Sequence, residues 1–288
     1  MKILLSTHRH LGDTVALTAA LRNAKTALPD MQFDYDGSYR DVFANNPDIT
    51  PFNHDDSDVC RIKVTYHPFS QRRGDGGNLC QGYSKCLALA LQSLTGVLIP
   101  MSQFTPVINL TDDEKVMYRE FGRYCVINVN CQNCSEVKRY PYWQQIVDAC
   151  PDMKFVQVGG NEKRDITTNL MNVIDLRGMT TVRQLFALVS NAAHVVSPSS
   201  AVIHIASVFP KVNTHCLVGA REPVALTKYE NVGHFCSNCG RYYNAFGCMS
   251  FYTHGLQKTC SNIQNIRGDN YAQCMCDINP KEVAACLF

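Results

Sequence analysis

The stretch 191–223, NAAHVVSPSSAVIHIASVFPKVNTHCLVGAREP, limits the fold more than any other part of this chain. Residues 192–196 form a short apolar run that reads as a buried strand, and a Ser-Pro-Ser-Ser turn follows at 197–200. Ile203, His204, Ala206 and Ser207 then fall in the first turns of a helix, and 214–218 reads as a second strand. Strand, polar turn, helix and strand make a βαβ unit with parallel strands. In such sheets ligands gather at the carboxyl ends of the strands, where a turn opens into a helix. Backbone N–H groups and the positive end of the helix dipole favour an anion there. Ser199 and Ser200 add hydroxyls, and His204 lies one turn beyond Ser200, on the same face. The expected occupant is a nucleotide diphosphate.

The same rhythm opens the chain. Lys2–Ser6 reads as a strand and 14–27 as a helix, with Val15, Leu17, Ala20, Leu21 and Ala24 on its apolar face. Leu28-Pro29-Asp30 stops that helix, and 31–35 is a second strand. A short helix at 41–46 and extended pieces at 49–52 and 61–66 follow. Four glycines and a proline make 67–83 read as a long loop, of the kind that is usually functional. Beyond it come a helix at 84–94, an extended piece at 105–110 and a capping box at Thr111 to Glu114. After a boundary near 121–124 the pattern repeats, with strands at 125–129, Lys154–Val158 and Val173–Asp175 and helices at 143–149 and 181–190. The expectation is an α/β chain of two Rossmann-like domains, 1–122 and 123–288.

A net charge of +2 demands neither a nucleic-acid nor a membrane partner. MKILLSTHRH has too short an apolar run for an export signal, and no run approaches the ~18 apolar residues of a membrane span. A cytoplasmic location is the expectation. There the fifteen cysteines are expected as thiols or metal ligands, not disulfides. Cys236-x-x-Cys239, followed by Cys260 and Cys274, has the makings of a tetrahedral four-thiolate site for structural zinc or iron within the segment 234–277. Cys248 and Cys276 compete as ligands, and a set of unligated buried thiols is the plain alternative. Cys131 and Cys134 read as loop residues lining the site of the nucleotide diphosphate.

Several short pieces, in order, resemble one family. They are Gly12-Asp13 before a helix, Asn45-Asn46-Pro47, Lys138-Arg139-Tyr140-Pro141, Val158-Gly159-Gly160, Leu176-Arg177-Gly178, Ser199-Ser200-Ala201 with His204, and Gly219-Ala220-Arg221-Glu222-Pro223. Their spacing is similar to that of the family-nine glycosyltransferases, the group of the ADP-heptose:lipopolysaccharide heptosyltransferases. The resemblance implies a GT-B fold, two Rossmann-like domains facing a cleft, with the acceptor on the first and the donor on the second. It implies an inverting transfer of a sugar from a nucleotide diphosphate to an acceptor hydroxyl. The acceptor would be a lipopolysaccharide core or a protein side chain.

The resemblance also implies roles. Asp13 matches the catalytic aspartate, a general base on the acceptor hydroxyl. Lys138 matches the lysine that neutralises the donor diphosphate. Ser199, Ser200 and His204 match the phosphate-side turn and helix, and Glu162 and Met179 the contacts to ribose and base. Arg72 and Arg73 would lie on the acceptor side. The end of the chain, from Cys274-Met275 onward, is similar to the branch that glycosylates autotransporters and carries a cysteine-bound iron. Where the family has Asp-Ser/Thr-Gly, this chain has Ser199-Ser200-Ala201, so heptose is not implied. Two other readings stand beside this one: a phage-type DNA glycosyltransferase acting on a hydroxymethylated base, and a non-catalytic nucleotide-sugar binding module. Taken singly, Asp13 also reads as a helix cap, Lys138 and Arg139 as a solvated pair, His204 as a structural histidine and Ser199-Ser200 as an N-cap.

Overall fold

The computed structural model describes residues 1–8, 10–66, 77–129, 138–160, 169–219, 224–236 and 262–288. The chain divides into two compact units, Met1–Glu114 and Lys115–Phe288.

In the first unit β1 (Lys2–Ser6) is the middle strand of a parallel three-stranded sheet, flanked by β2 (Gln32–Tyr35) and β3 (Val59–Lys63). The helix α1 (Leu11–Ala27) lies between β1 and β2 in sequence. It starts earlier than its apolar pattern indicates, because His10 takes the N-cap position and Leu11, Gly12 and Asp13 form its first turn. Val15, Ala16, Leu17, Ala19, Ala20 and Leu21 are buried, so α1 packs on more than one side. One neighbour is α2 (Leu79–Thr95). That helix replaces the last part of the loop expected at 67–83. Asn78 and Gln81 form a reciprocal capping box that offsets the weak helix preference of Gly82. The pieces at 49–52 and 105–110 join no strand. A capping box between Thr111 and Glu114 does open α3 (Asp112–Val116).

The second unit holds six parallel strands: β4 (Tyr124–Asn128), β5 (Lys154–Val158), β6 (Val173–Asp175), β7 (His194–Pro198), β8 (Asn213–Val218) and β9 (Val232–Cys236). Their spatial order is β6-β5-β4-β7-β8-β9. The chain therefore runs outward from β4 in one direction, then returns and runs outward the other way from β7. This is the dinucleotide-fold order, and it reverses between β4 and β7. Both faces are covered, which is why these strands are apolar runs without polar alternation. On one face Cys125, Ile127, Phe155, Val196 and Leu217 share a core with α4 (Trp143–Asp148), α7 (Gln273–Cys276) and α8 (Pro280–Ala285). On the other lie α5 (Val182–Ser190), where the Tyr124 hydroxyl donates to Leu188 O at 2.6 Å, and α6 (Ala201–Ala206), which packs on β7 and β8. A hairpin, β10 (Ile263–Ile266) and β11 (Asp269–Ala272), precedes α7. Its two-residue turn has positive φ at both Arg267 and Gly268, the mirror-image turn that suits twisted strands. Among the described residues no helix is long and apolar enough to cross a membrane.

Candidate functional site

The reversal point in the second unit is the place a parallel sheet offers to a ligand. Asn128 ends β4 there and is 4% exposed. Its Nδ2 donates to both Ser197 Oγ and Ser200 Oγ, at 3.1 Å each. Counting hydrogens fixes the orientation of this amide. Ser197 donates its hydroxyl hydrogen to Pro198 O at 2.8 Å, so across the 2.8 Å contact between the two hydroxyls Ser200 is the donor. Ser200 Oγ also accepts from Val202 N–H, which makes Ser200 the N-cap of α6. With both serine hydrogens committed, the amide must turn its NH₂ toward them. Asn128 Oδ1 is then a buried acceptor with no hydrogen-bond partner among the described residues. An atom in that state costs about 1–3 kcal/mol.

Lys138 reaches the same edge, its Nζ 3.4 Å from Ser199 O. Gly159, at the end of β5, presents only its backbone here. A Cβ on it would lie 3.6 Å from Arg177 Cγ and 3.8 Å from Asn128 Oδ1. Arg177 is held across this gap by Asp175, through Nε–Oδ1 at 2.9 Å and Nη2–Oδ2 at 2.6 Å, and by Asn169. The structure thus brings Lys138, Ser199 and Ser200 together and adds Asn128 and Arg177. Ser200 contributes the shape of the turn, since its hydrogen is directed at Ser197. The helix it caps has six residues, so the anion-attracting groups here are N–H donors and Lys138 more than a long dipole. His204 is 6% exposed and turns its Nδ1 to the Tyr229 hydroxyl at 2.8 Å, with that ring edge-on to it.

The first unit has a polar cluster at the corresponding edge of its own sheet. Asp13, in the first turn of α1, accepts a hydrogen bond at Oδ1 from the Tyr83 hydroxyl at 2.7 Å. Thr7, just past β1, places its Oγ1 3.0 Å from the Tyr83 hydroxyl and 3.0 Å from Val64 O. The Tyr83 ring is fully buried and packs at 5.7 Å against Tyr66, which meets His8 edge-on. Burial, and then the Asp13 charge, push the Tyr83 phenol far above its ordinary range. Asp13 is thus neither the N-cap residue nor an isolated surface carboxylate.

Met179 is 70% exposed, beyond the end of β6. Glu162, Arg72, Arg73, Cys239 and Cys260 lie outside the described residues, as do Cys131, Cys134 and Cys248. Of the four expected metal ligands, Cys236 is exposed at the end of β9 and Cys274 is buried in α7. Strand alternation puts Cys236 on the side of His234, opposite Phe235. Phe235 packs against the core that contains Cys274. Among the described residues no group of three His, Cys, Asp or Glu side chains is arranged to hold a metal ion. The described pair does not make a metal centre by itself.

Asn128, Thr7 and Tyr83 are absent from the sequence reading. An asparagine closing the apolar run Tyr-Cys-Val-Ile was a usable signal for the first. The Asn78-to-Gln81 capping pattern would have placed Tyr83 on a helix.

No family model matches the chain, and no curated protein matches it in sequence. Solved structures do match its fold. The Escherichia coli ADP-heptose lipopolysaccharide heptosyltransferase II superposes with a TM-score of 0.65 at 12% identity, covering 99% of this chain and 97% of that one. A family-nine glycosyltransferase from Veillonella parvula gives 0.66 at 16% identity, covering 99% and 96%. TibC from enterotoxigenic E. coli, a dodecameric iron-containing heptosyltransferase in complex with ADP-heptose, gives 0.66 at 12% identity, covering 98% and 74%. At these identities the likeness is one of architecture: the chain has the α/β, parallel-sheet fold of these GT-B-like glycosyltransferases.

Proposed function

We propose that this chain is an inverting glycosyltransferase that uses a nucleotide-diphosphate sugar. The observation that carries the proposal is the convergence of Lys138 with the Ser197–Ser200 turn and Asn128 at the reversal point of a dinucleotide-type sheet. The whole-chain likeness to sugar-nucleotide transferases supports the same reading. The second unit holds the donor. Lys138 offsets the negative charge that builds on the diphosphate as it departs, a task for a flexible ammonium. Ser199, Ser200 and His204 shape the phosphate side, and Glu162 and Met179 meet the ribose and base.

In the first unit Asp13 is the general base. It takes the proton of the acceptor hydroxyl, whose oxygen attacks the anomeric carbon. The anomeric C–O bond to the diphosphate breaks, its electron pair leaves with the nucleotide, and the configuration inverts. Arg72 and Arg73 belong to the acceptor side, and the acceptor is a lipopolysaccharide core or a protein side chain. Metal at the cysteine-rich segment rests on the spacing of Cys236, Cys239, Cys260 and Cys274 and on the iron reported for TibC. Metal content of Cys236→Ser and Cys274→Ser proteins tests it: stoichiometric metal in wild type and none in either variant supports it, and metal-free wild type ends it.

A panel of ADP-, GDP-, UDP- and CDP-sugars, read by thermal stabilisation and then by transfer to acceptor, tests the main reading. One class of nucleotide should raise the melting temperature, since a ligand of the native state stabilises by mass action. Absence of stabilisation and of transfer across the panel would end it. Binding with no turnover under any acceptor would favour a non-catalytic binding module.

A further inference from the structure

We infer that Tyr83 is the positioning residue for Asp13, an inference that rests on the reading of Asp13 as the base. Asp13 sits in the first turn of α1 and is half-exposed. A free carboxylate in that place has alternatives: it can swing to solvent or fold back onto the unpaired N–H groups of its own helix. The Tyr83 hydroxyl removes that freedom. It donates to Oδ1 at 2.7 Å, the length of a hydrogen bond to an ionised oxygen. No bond to Oδ2 is formed among the described residues, so that oxygen is left to receive the acceptor's proton.

Tyr83 is itself well anchored. Its ring is buried against Tyr66, and its helix begins at the Asn78–Gln81 capping box one turn earlier. Its oxygen is braced by Thr7 Oγ1 at 3.0 Å. The hydrogen of the tyrosine hydroxyl goes to Asp13, and the single hydrogen of Thr7 is divided between Val64 O and the Tyr83 oxygen, each 3.0 Å away. Burial beside a carboxylate keeps the phenol protonated through any working pH, so the bond to Asp13 is never lost to ionisation of the tyrosine. The proton of the acceptor hydroxyl passes to Asp13 Oδ2, and Tyr83 keeps its own. The arrangement repeats, with a phenol, the orienting hydrogen bond that general bases commonly use.

Tyr83→Phe tests this, because it keeps the buried ring and removes one oxygen. The expected result is a fall in kcat of about tenfold or more with KM for the nucleotide sugar unchanged, since only proton transfer is affected. Thr7→Val should lower kcat in the same direction by less. A kcat that overlays wild type would overturn the inference while leaving the transferase reading intact. Loss of nucleotide-sugar binding in Tyr83→Phe would also overturn it, by showing a structural role.

A second measurement needs no turnover. With labelled tyrosine, the Tyr83 hydroxyl proton should resonate downfield of other tyrosine hydroxyls and move upfield in Asp13→Ala. An unchanged resonance would mean that the bond is absent, whatever the chain's activity.

Discussion

The two units end their central strands in different ways. In the first, the bonds run outward: Thr7 braces Tyr83, Tyr83 donates to Asp13, and the series stops at a half-exposed carboxylate. In the second, the bonds close on themselves: the hydrogens of Asn128, Ser197 and Ser200 are spent within the turn, and one buried oxygen has no partner among the described residues. The first arrangement holds a carboxylate at the surface of its unit. The second builds a closed rim, which Lys138 reaches from elsewhere and on which the proposed donor binding rests. Polar residues at equivalent edges of two parallel sheets thus do different work, decided by where their hydrogens point.

Asp13→Asn is the hardest blow to this contrast. If the first unit's series serves to present a base, the variant loses about 10²–10⁴-fold in kcat while nucleotide binding, held by the second unit, stays within twofold. Calorimetry with the nucleotide beside a transfer assay measures both. Wild-type turnover would reduce the Thr7–Tyr83–Asp13 series to packing. Next in size is Lys138→Ala. Removing a charge-assisted contact to a phosphate should weaken nucleotide affinity by about tenfold to a hundredfold, with a shallower salt dependence, and leave the melting temperature of the unliganded chain nearly unchanged. Unchanged affinity would leave the rim without its active member.

The sequence carried the architecture well, because strand runs such as Cys125-Val126-Ile127 and Val195-Val196 are buried on both faces and admit no polar alternation. Asp13 and Lys138 were singled out by the resemblance, and Ser200 by its place in the turn after a strand. The sequence did not carry orientation. Whether Ser200 aims its hydrogen at a ligand or at Ser197 depends on Asn128, seventy-two residues away. Tyr83 was hidden because glycines on either side of Asn78 made the whole run read as loop, although the helix begins at Leu79. The cysteine spacing of 236–274 suggested convergence, and of its four members Cys236, at the end of β9, and Cys274, in α7, are the two that fall among the described residues. Spacing along a chain says nothing about which face of a sheet a residue reaches.

The units should also part company in acid. In the second, His215 is half-buried and stacked on His194, and loss of solvent first, then that neighbour, lower it from 6.5 to about 4. A histidine that resists protonation only when folded contributes stability above pH 6.5 and loses it as pH falls toward 4, by about 3 kcal/mol in all. His194 is lowered too, by burial and then by Arg123, and acts in the same direction. In the first unit, burial raises Asp34, but bonds from His54, Tyr35 N–H and Arg40 outweigh it and leave the carboxyl below 3.8. That stability is present above pH 3.8 and is lost only below it. Amide signals from the second unit should therefore weaken first between pH 6.5 and 4, and His215→Leu should flatten that window. Simultaneous loss in both units would show that these buried groups do not set acid stability.

The smallest effect is the most discriminating for the closed rim. Ser200→Ala removes the N-cap of α6 and one acceptor of the Asn128 amide. Caps of this kind contribute about 1 kcal/mol. The variant should melt a few degrees lower, and its nucleotide affinity should fall by less than threefold, because the lost hydrogen was never directed at the ligand. A hydroxyl that donates to phosphate would give the opposite pattern, an affinity loss of tenfold or more at nearly unchanged stability. Ser197→Ala separates the two cases further, since that hydroxyl is fully buried and donates to Pro198 O. If the rim is a closed network, both serine variants change stability together and affinity little. If Ser200 alone changes affinity, its hydrogen turns outward when the ligand arrives, and the second unit resembles the first after all.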